Sequence, residues 1–393
     1  MYCFCKLRLT KLYLCCFLLI LVWGCAPKAP EKPYFDYVQG RKIVSRLPRL
    51  PIGQELRSWQ ELKPSIQRSL EFVRRKNGSE VVLKRPDLTL TWQDLQETLE
   101  LLLELLPRLD QDPKILSDFF DFYELKPDVL LTGYYEPWLE GSLEPSPEYP
   151  YPVYACPDDL KVVDLGLFHP RWQGQRLVYR LDNGEIKPYY SRAEIDGQGV
   201  LAGKGLEIAW VKDKIALFFL HIQGSGRLVL PDGQVKHVLY AGKNGRPYVS
   251  LGRVLADNGY LSLENVSLQS IRKFLKEHAE IADDLLYTNP SYVFFRLGDN
   301  GPLGSMGQPL TPWVSVASDH SFVPLGSVLF LQTRLPVEEG REKEFSGLVL
   351  AQDRGGAING NHFDLFCGSG SRAEYMAGHL KKRAEIFLLV RKK

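Results

Sequence analysis

The feature that most constrains this chain is the density of turn signals from about Asp128 onward. Short aromatic and β-branched runs are cut at Glu140-Gly141-Ser142, Asp182-Asn183-Gly184, Asp196-Gly197, Pro231-Asp232-Gly233 and Lys243-Asn244-Gly245. Asn-Gly and Asp-Gly steps accept the backbone of tight hairpin turns, so such spacing predicts a barrel or sandwich in preference to a parallel α/β sheet. The runs Ile215 to Ile222, Arg227 to Leu230 and Val235 to Tyr240 read as consecutive strands. One clear helix interrupts them, Ser267 to His278, with Ile271, Phe274 and Leu275 on one side and a continuation through Leu286. After Asn289-Pro290 the β texture resumes.

Upstream, the texture is helical. Ile66, Leu70 and Val73 recur at helical spacing, and Thr91 with Asp94 forms a capping-box pattern before the apolar run Leu95 to Leu106, which Pro107 closes. So many leucines predict a helix buried on most sides.

The N-terminus carries the one long apolar run. Lys6, Arg8 and Lys11 precede Leu12 to Trp23, about a dozen residues, which suits a secretory signal and is short for a bilayer span. Val22-Trp23-Gly24-Cys25 looks like a bacterial lipoprotein signal, in which cleavage after Gly24 leaves Cys25 as the lipidated first residue. The full chain of 393 residues has 49 Lys+Arg against 47 Asp+Glu; without residues 1–24 the balance is 46 against 47. A chain so close to neutral argues against a nucleic-acid partner. Pro27, Pro30 and Pro33, interleaved with charges, read as a semi-rigid tether over residues 25–47. Of seven cysteines only Cys156 and Cys367 lie beyond Cys25. They have no metal-ligand spacing, so neither a metal nor a cofactor is expected, and their pairing stays open.

The most unusual stretch is Ala351-Gln352-Asp353-Arg354-Gly355-Gly356-Ala357-Ile358-Asn359-Gly360-Asn361-His362-Phe363-Asp364, two carboxylates flanking a loop with three glycines. Asp364, between Phe363 and Leu365 in an alternating run, projects from the opposite face of a strand. A carboxyl in an apolar setting is raised toward neutral pH and can donate a proton. Asp353, beside Arg354, is expected to stay ionised. Thr132-Gly133-Tyr134-Tyr135-Glu136-Pro137 combines a hydroxyl, two aromatics and an acid, the composition of a carbohydrate cleft. His221-Ile222-Gln223-Gly224-Ser225-Gly226-Arg227 is glycine-rich but lacks the lysine and the strand–loop–helix context of a phosphate-binding loop.

Taken together, these residues resemble a family. Asp319 after Val316-Ala317-Ser318, then Asp353 with Gly355-Gly356-Ala357-Ile358, then Asp364, look like the three aspartates of the three-aspartate (3D) domain of peptidoglycan-cleaving enzymes. Thr132 to Pro137, Tyr189 to Ile195, Phe218 to Gly226, Tyr240 to Gly245 and Asn289 to Phe295 resemble the membrane-bound lytic murein transglycosylase A family. The resemblance implies a mainly β fold: a double-psi β-barrel from 48–136 and 281–393, a second β domain inserted at 137–280, and a glycan groove between them. It implies cleavage of the β-1,4 bond between N-acetylmuramic acid and N-acetylglucosamine with a 1,6-anhydro product. Asp364 matches the catalytic acid, supported by Asp353, Thr132 and Asp319. Tyr134, Tyr135, Glu136, Gln223, Ser225 and Asn244 are the expected sugar contacts. The implied partners are peptidoglycan strands, a membrane reached through lipid on Cys25, and cell-wall synthesis or division proteins, at the periplasmic face of the outer membrane.

Overall fold

The computed structural model of the protein describes residues 33–393 apart from 338 and 339. The signal at 1–24, Cys25 and the start of the expected tether lie outside the described residues. The tether reading does not hold for 33–47, which is folded. Tyr34–Val38 pairs antiparallel with Phe120–Lys126, and Gly40–Val44 is helical. Buried Phe35 stacks on Phe322 at 4.8 Å between ring centroids, an apolar contact hidden behind the proline-rich composition.

Six strands close on themselves. Lys381–Arg391 pairs with Val328–Pro336, which pairs in turn with Glu342–Asp353, Ser315–Ala317, His362–Ser369 and Val129–Glu136, and the last returns to Lys381–Arg391. Two of these pairings are parallel, Ser315–Ala317 with Glu342–Asp353 and His362–Ser369 with Val129–Glu136. This is the barrel of the expected mainly β class, and closure leaves its members without an open edge. Two helices flank it, Lys63–Arg74 and Trp92–Leu109. Thr91 and Asp94 form the capping box, and Leu95, Leu99, Leu102, Leu105, Leu106 and Leu109 are buried. Pro107 lies inside the last turn instead of ending the helix, which runs on to bury Leu109. Buried Gln352 ties a helix to the barrel: its Nε2 donates to Ser65 O and Ser69 Oγ, both at 2.9 Å, while its Oε1 accepts from Ser315 Oγ at 2.6 Å.

A second six-stranded sheet runs Val293–Gly298, Val235–Lys243, Gly226–Val229, Trp138–Ser142, Glu207–Val211, Tyr151–Tyr154, with a bridge from Ala155 to Phe295 joining its outer strands. Because Val293–Gly298 hydrogen-bonds in this sheet, the second sheet reaches past the expected boundary at 280. Residues 215–222, expected as a strand, form the helix Lys214–Gln223. An apolar run of that length fits either element. The ends decide: Asp213 Oδ1 accepts from Ile215 N and Ala216 N at 2.7 and 3.2 Å, and Gly224 stops the helix at φ +80°. All faces of the helix find apolar partners. Leu217 and Leu220 pack on the second sheet, and Ile215, Phe218 and Phe219 pack on the helices Leu251–Asp257, Leu268–Glu277 and Ala279–Tyr287. His278 breaks the expected long helix into the last two of these.

Candidate active site

The short strand Ser315–Ala317 organises the site. Ala317 is the register partner of Asp353 on one side and Asp364 on the other, and Asp364 in turn partners Thr132. Four strands thus present Asp353, Ala317, Asp364 and Thr132 as a transverse row, and residues in such a row share a face of the sheet. Strand spacing sets the two aspartate main chains roughly 10 Å apart. Ala317, between the two carboxyls in the row, is small and buried.

Phe363 and Leu365 are fully buried in the barrel core, so alternation turns Asp364 to the row's face. Burial pushes its carboxyl up to about 7; the Thr132 bond opposes this and the charge of Asp353 adds to it. Thr132 Oγ1 lies 2.7 Å from Asp364 Oδ1 and 2.9 Å from His362 Nε2. Asp353 is bound differently. Its Oδ1 accepts from Ser305 N at 2.9 Å, Ser305 Oγ at 2.8 Å and Arg354 N at 2.9 Å, and its Oδ2 accepts from Tyr134 OH at 2.9 Å. Burial still holds it above the usual carboxylate range against those donors. Arg354 meets Asp353 through its main-chain N–H, and its side chain is exposed.

Asp319 stands behind the glycine loop. Its Oδ2 accepts from Gly360 N at 2.8 Å and its Oδ1 from Ser321 N and Oγ at 2.9 and 2.7 Å. Burial pulls it upward, but these donors outweigh burial and hold it below the usual range. Gly360 sits at φ +58°, and Asp319 pins that turn.

The expected sugar contacts divide. Tyr134 is in the row through its bond to Asp353. Tyr135, next along the strand, points to the opposite side: it is 2% exposed, its phenol lies against Glu374 and Arg272, and its main-chain N–H donates to Gln223 Oε1 at 2.9 Å. Glu136 is fully buried, paired with Arg227 Nε at 2.7 Å and His237 Nδ1 at 2.8 Å. Asn244 is buried with its amide committed to Tyr190 O and Pro290 O, each at 2.8 Å, and its Oδ1 to Tyr292 N at 2.9 Å. Tyr135, Glu136 and Asn244 are thus placed as internal braces. Gln223 and Ser225 stay partly open at the end of the helix Lys214–Gln223.

Sequence reasoning missed Ser305, His320 and His362. Ser305 comes from a loop with no motif, and only folding brings it to Asp353. His320 Nε2 meets the Asp353 carbonyl at 3.1 Å. His362 was within reach, since it stands two positions before Asp364 and alternation puts both on one face. Cys156 and Cys367 are free thiols.

Comparison with known proteins bears on this geometry. A family profile described as the MltA specific insert domain matches residues 130–296, and one described as the 3D domain matches 314–390. The membrane-bound lytic murein transglycosylase A of Vibrio cholerae is 34% identical over 270 residues, 67% of this chain and 65% of that protein. The chain thus aligns with somewhat under two thirds of that curated relative. The crystal structure of membrane-bound lytic murein transglycosylase from Agrobacterium tumefaciens superposes with a TM-score of 0.76 at 31% identity, covering 91% of this chain and 97% of that one. The chain belongs to the membrane-bound lytic murein transglycosylase A family. Escherichia coli MltA with bound chitohexaose is similar too, with a TM-score of 0.68 at 25% identity over 94% and 98% of the two chains. The matched insert domain ends at 296 and so takes in Phe294 and Phe295 of the strand Val293–Gly298, in keeping with the pairing of that strand in the second sheet.

Proposed function

We propose that this family member is a lytic transglycosylase that cuts the β-1,4 bond between N-acetylmuramic acid and N-acetylglucosamine in peptidoglycan and leaves 1,6-anhydromuramic acid. The observation that carries the reading is Asp364: a carboxyl raised to about 7 by burial, in one row with Asp353 and Thr132, with only one side-chain bond to oppose protonation. Such a group is protonated often enough to donate and basic enough to take a proton back. Its proton passes to the glycosidic oxygen, the C1–O bond breaks, and its electron pair stays on the leaving oxygen. The carboxylate formed then accepts the C6 hydroxyl proton as that oxygen closes on C1. One residue serves both steps because the nucleophile is part of the substrate.

Asp353 orients the site. Its oxygens already accept four hydrogen bonds, from Ser305, Arg354 and Tyr134, which leaves it poorly free to activate water as a second carboxylate would in a hydrolase. Gln223 and Ser225 supply polar contacts for the glycan. Export, lipid on Cys25 and attachment at the periplasmic face of the outer membrane complete the reading, with cell-wall synthesis or division proteins as partners. The relatives' description as membrane-bound supports it. Among the described residues no helix is long and apolar enough to cross a membrane.

Mass spectrometry of digested sacculi tests the reaction. Products one water lighter than reducing muropeptides are expected, and reducing ends throughout would instead indicate hydrolysis. Asp364→Asn is expected to lower lysis at least about a hundredfold while sacculus binding persists.

A further inference from the structure

Two cations meet at the glycine loop. That loop runs from Asp353 to Asp364, so both of its ends stand in the row with Thr132. Lys243 closes the strand Val235–Lys243 of the second sheet, and its Nζ lies 3.7 Å from the point where a methyl on Gly356 would stand. The ammonium therefore reaches from the second sheet onto the loop of the barrel. Arg354 is two positions before Gly356, at most about 7 Å along the chain, a distance that an extended arginine side chain covers. Its main-chain N–H is held by Asp353 Oδ1 at 2.9 Å, and its side chain is exposed beside the loop.

Neither charge is met by a carboxylate. Among the described residues the Lys243 ammonium and the Arg354 guanidinium have no ion-pair or hydrogen-bond partner. The acids of the neighbourhood are committed elsewhere. Asp353 is bound by Ser305, Tyr134 and the Arg354 main chain, and Asp319 by Gly360 and Ser321. Partial burial, and then the charge of Arg354, pull the Lys243 ammonium below the usual lysine range. Like charges set together without a counter-charge repel, and an anion bound between them removes that repulsion. Gly356 offers no side chain to cover the lysine.

We propose that Lys243 and Arg354 form a carboxylate-binding site beside the catalytic row, and that its ligand is the acidic substituent of N-acetylmuramic acid. N-acetylglucosamine is neutral. Muramic acid differs from it by a lactyl ether whose carboxyl is either free or extended by a short peptide that carries carboxylates of its own. The lysine supplies a compact charge and the arginine a planar fork of donors that matches a carboxylate. Along a glycan of alternating sugars the β-1,4 bonds alternate too, and a slip of one sugar brings the wrong bond to Asp364. Only one register also brings the carboxylate to Lys243 and Arg354, so the pair determines which bond is cut. The proposal rests on peptidoglycan being the substrate and deepens that reading: it gives the cleft a means of telling its substrate from a neutral chain such as chitohexaose, which is bound in the similar Escherichia coli structure.

The measurement is calorimetric binding to Asp364→Asn protein, which reads affinity apart from how the bond is broken. Three probes are compared: a tetrasaccharide of alternating N-acetylglucosamine and N-acetylmuramic acid with its peptide stems, the same tetrasaccharide after an amidase has removed them, and chitohexaose. Adding Lys243→Gln and Arg354→Gln is expected to weaken binding of a muramic probe about tenfold, to flatten its dependence on salt, and to leave chitohexaose unchanged. Lys243→Arg keeps the charge and is expected to keep the affinity. Arg354→Gln alone, a change at the surface, is expected to weaken a muramic probe about threefold, which keeps the argument testable if the double change folds poorly. Weakening confined to the stem-bearing probe assigns the carboxylate to the peptide, weakening confined to the stem-free probe assigns it to the lactyl group, and weakening of both shows that the site takes either. Unchanged affinity for both muramic probes, or an equal loss with chitohexaose, overturns the proposal. Muramic probes that fail to bind protein with both cations in place would remove the substrate reading and the site with it. Reducing ends in the wild-type products, with affinities that shift as stated, would leave the site standing and remove the transglycosylase reading alone.

Discussion

Asp364 is held in a form that is useful for proton transfer and awkward for stability at high pH. Its folded midpoint near 7 exceeds the unfolded value of about 3.9, so the folded protein binds the extra proton between those limits. The stability this contributes is fully present below about pH 4 and is lost as pH rises through 7. The difference corresponds to roughly 4 kcal/mol by pH 8. Asp364→Asn is therefore expected to unfold at a higher temperature than wild type at pH 8, with the gap closing toward pH 4; equal melting curves at both pH values would contradict the assignment. Wild-type lysis is expected to fall about tenfold per unit above pH 7. At this scale the sequence was legible where alternation alone determines orientation. Phe363 and Leu365 flanking Asp364 gave its face correctly. The same rule, applied to Tyr134 and Tyr135, puts only one of the two in the cleft. The role of Arg354 was not legible, because its main chain and not its charge meets Asp353.

Elements were legible where local signals end them. The capping box at Thr91 and Asp94 forms as its sequence states, and Ser267 caps the helix Leu268–Glu277. The run 215–222 misled because hydrophobicity without period carries no element type. Its caps held the answer, an aspartate before and a glycine after. Gly224 sits at φ +80° with nothing within 4 Å of an added methyl, so Gly224→Ala isolates the backbone effect. A loss of about 1 kcal/mol in urea unfolding is expected, because the left-handed conformation costs an L-residue that much. No loss would mean that the helix does not end there. Gly347 is a contrasting case: a methyl there would run into the side chain of buried Gln54, which bonds Trp313 O and Leu348 O at 2.8 Å each.

For the molecule as a whole, the crossing from barrel to second sheet is the point of interest. The strand Val129–Glu136 leads through Pro137 into Trp138–Ser142, and at the crossing Glu136 is fully buried against Arg227 and His237. Removing the buried carboxylate leaves Arg227 without its ion-pair partner and His237 without its hydrogen-bond partner, a loss of roughly 1–3 kcal/mol. Glu136→Ala is expected to loosen the second sheet first, read as faster amide exchange in Gly226–Val229 and Val235–Lys243 than in the barrel strands. Uniform exchange across both sheets would show that the crossing is no weak point.

What the sequence by itself determined was short-range: turns, caps, the β class and the face of each strand residue, since these follow from neighbours a few positions apart. What tertiary structure alone decided was long-range. Thr132 and Asp364 are 232 positions apart, and no local pattern encodes a hydrogen bond between them. Nor could composition reveal that Glu136 and Asn244 would be buried braces, or that Ser305 would reach Asp353. The Asp364 carboxyl depends on both: alternation aimed it, and only the folded barrel buries it and so raises it above an ordinary aspartate.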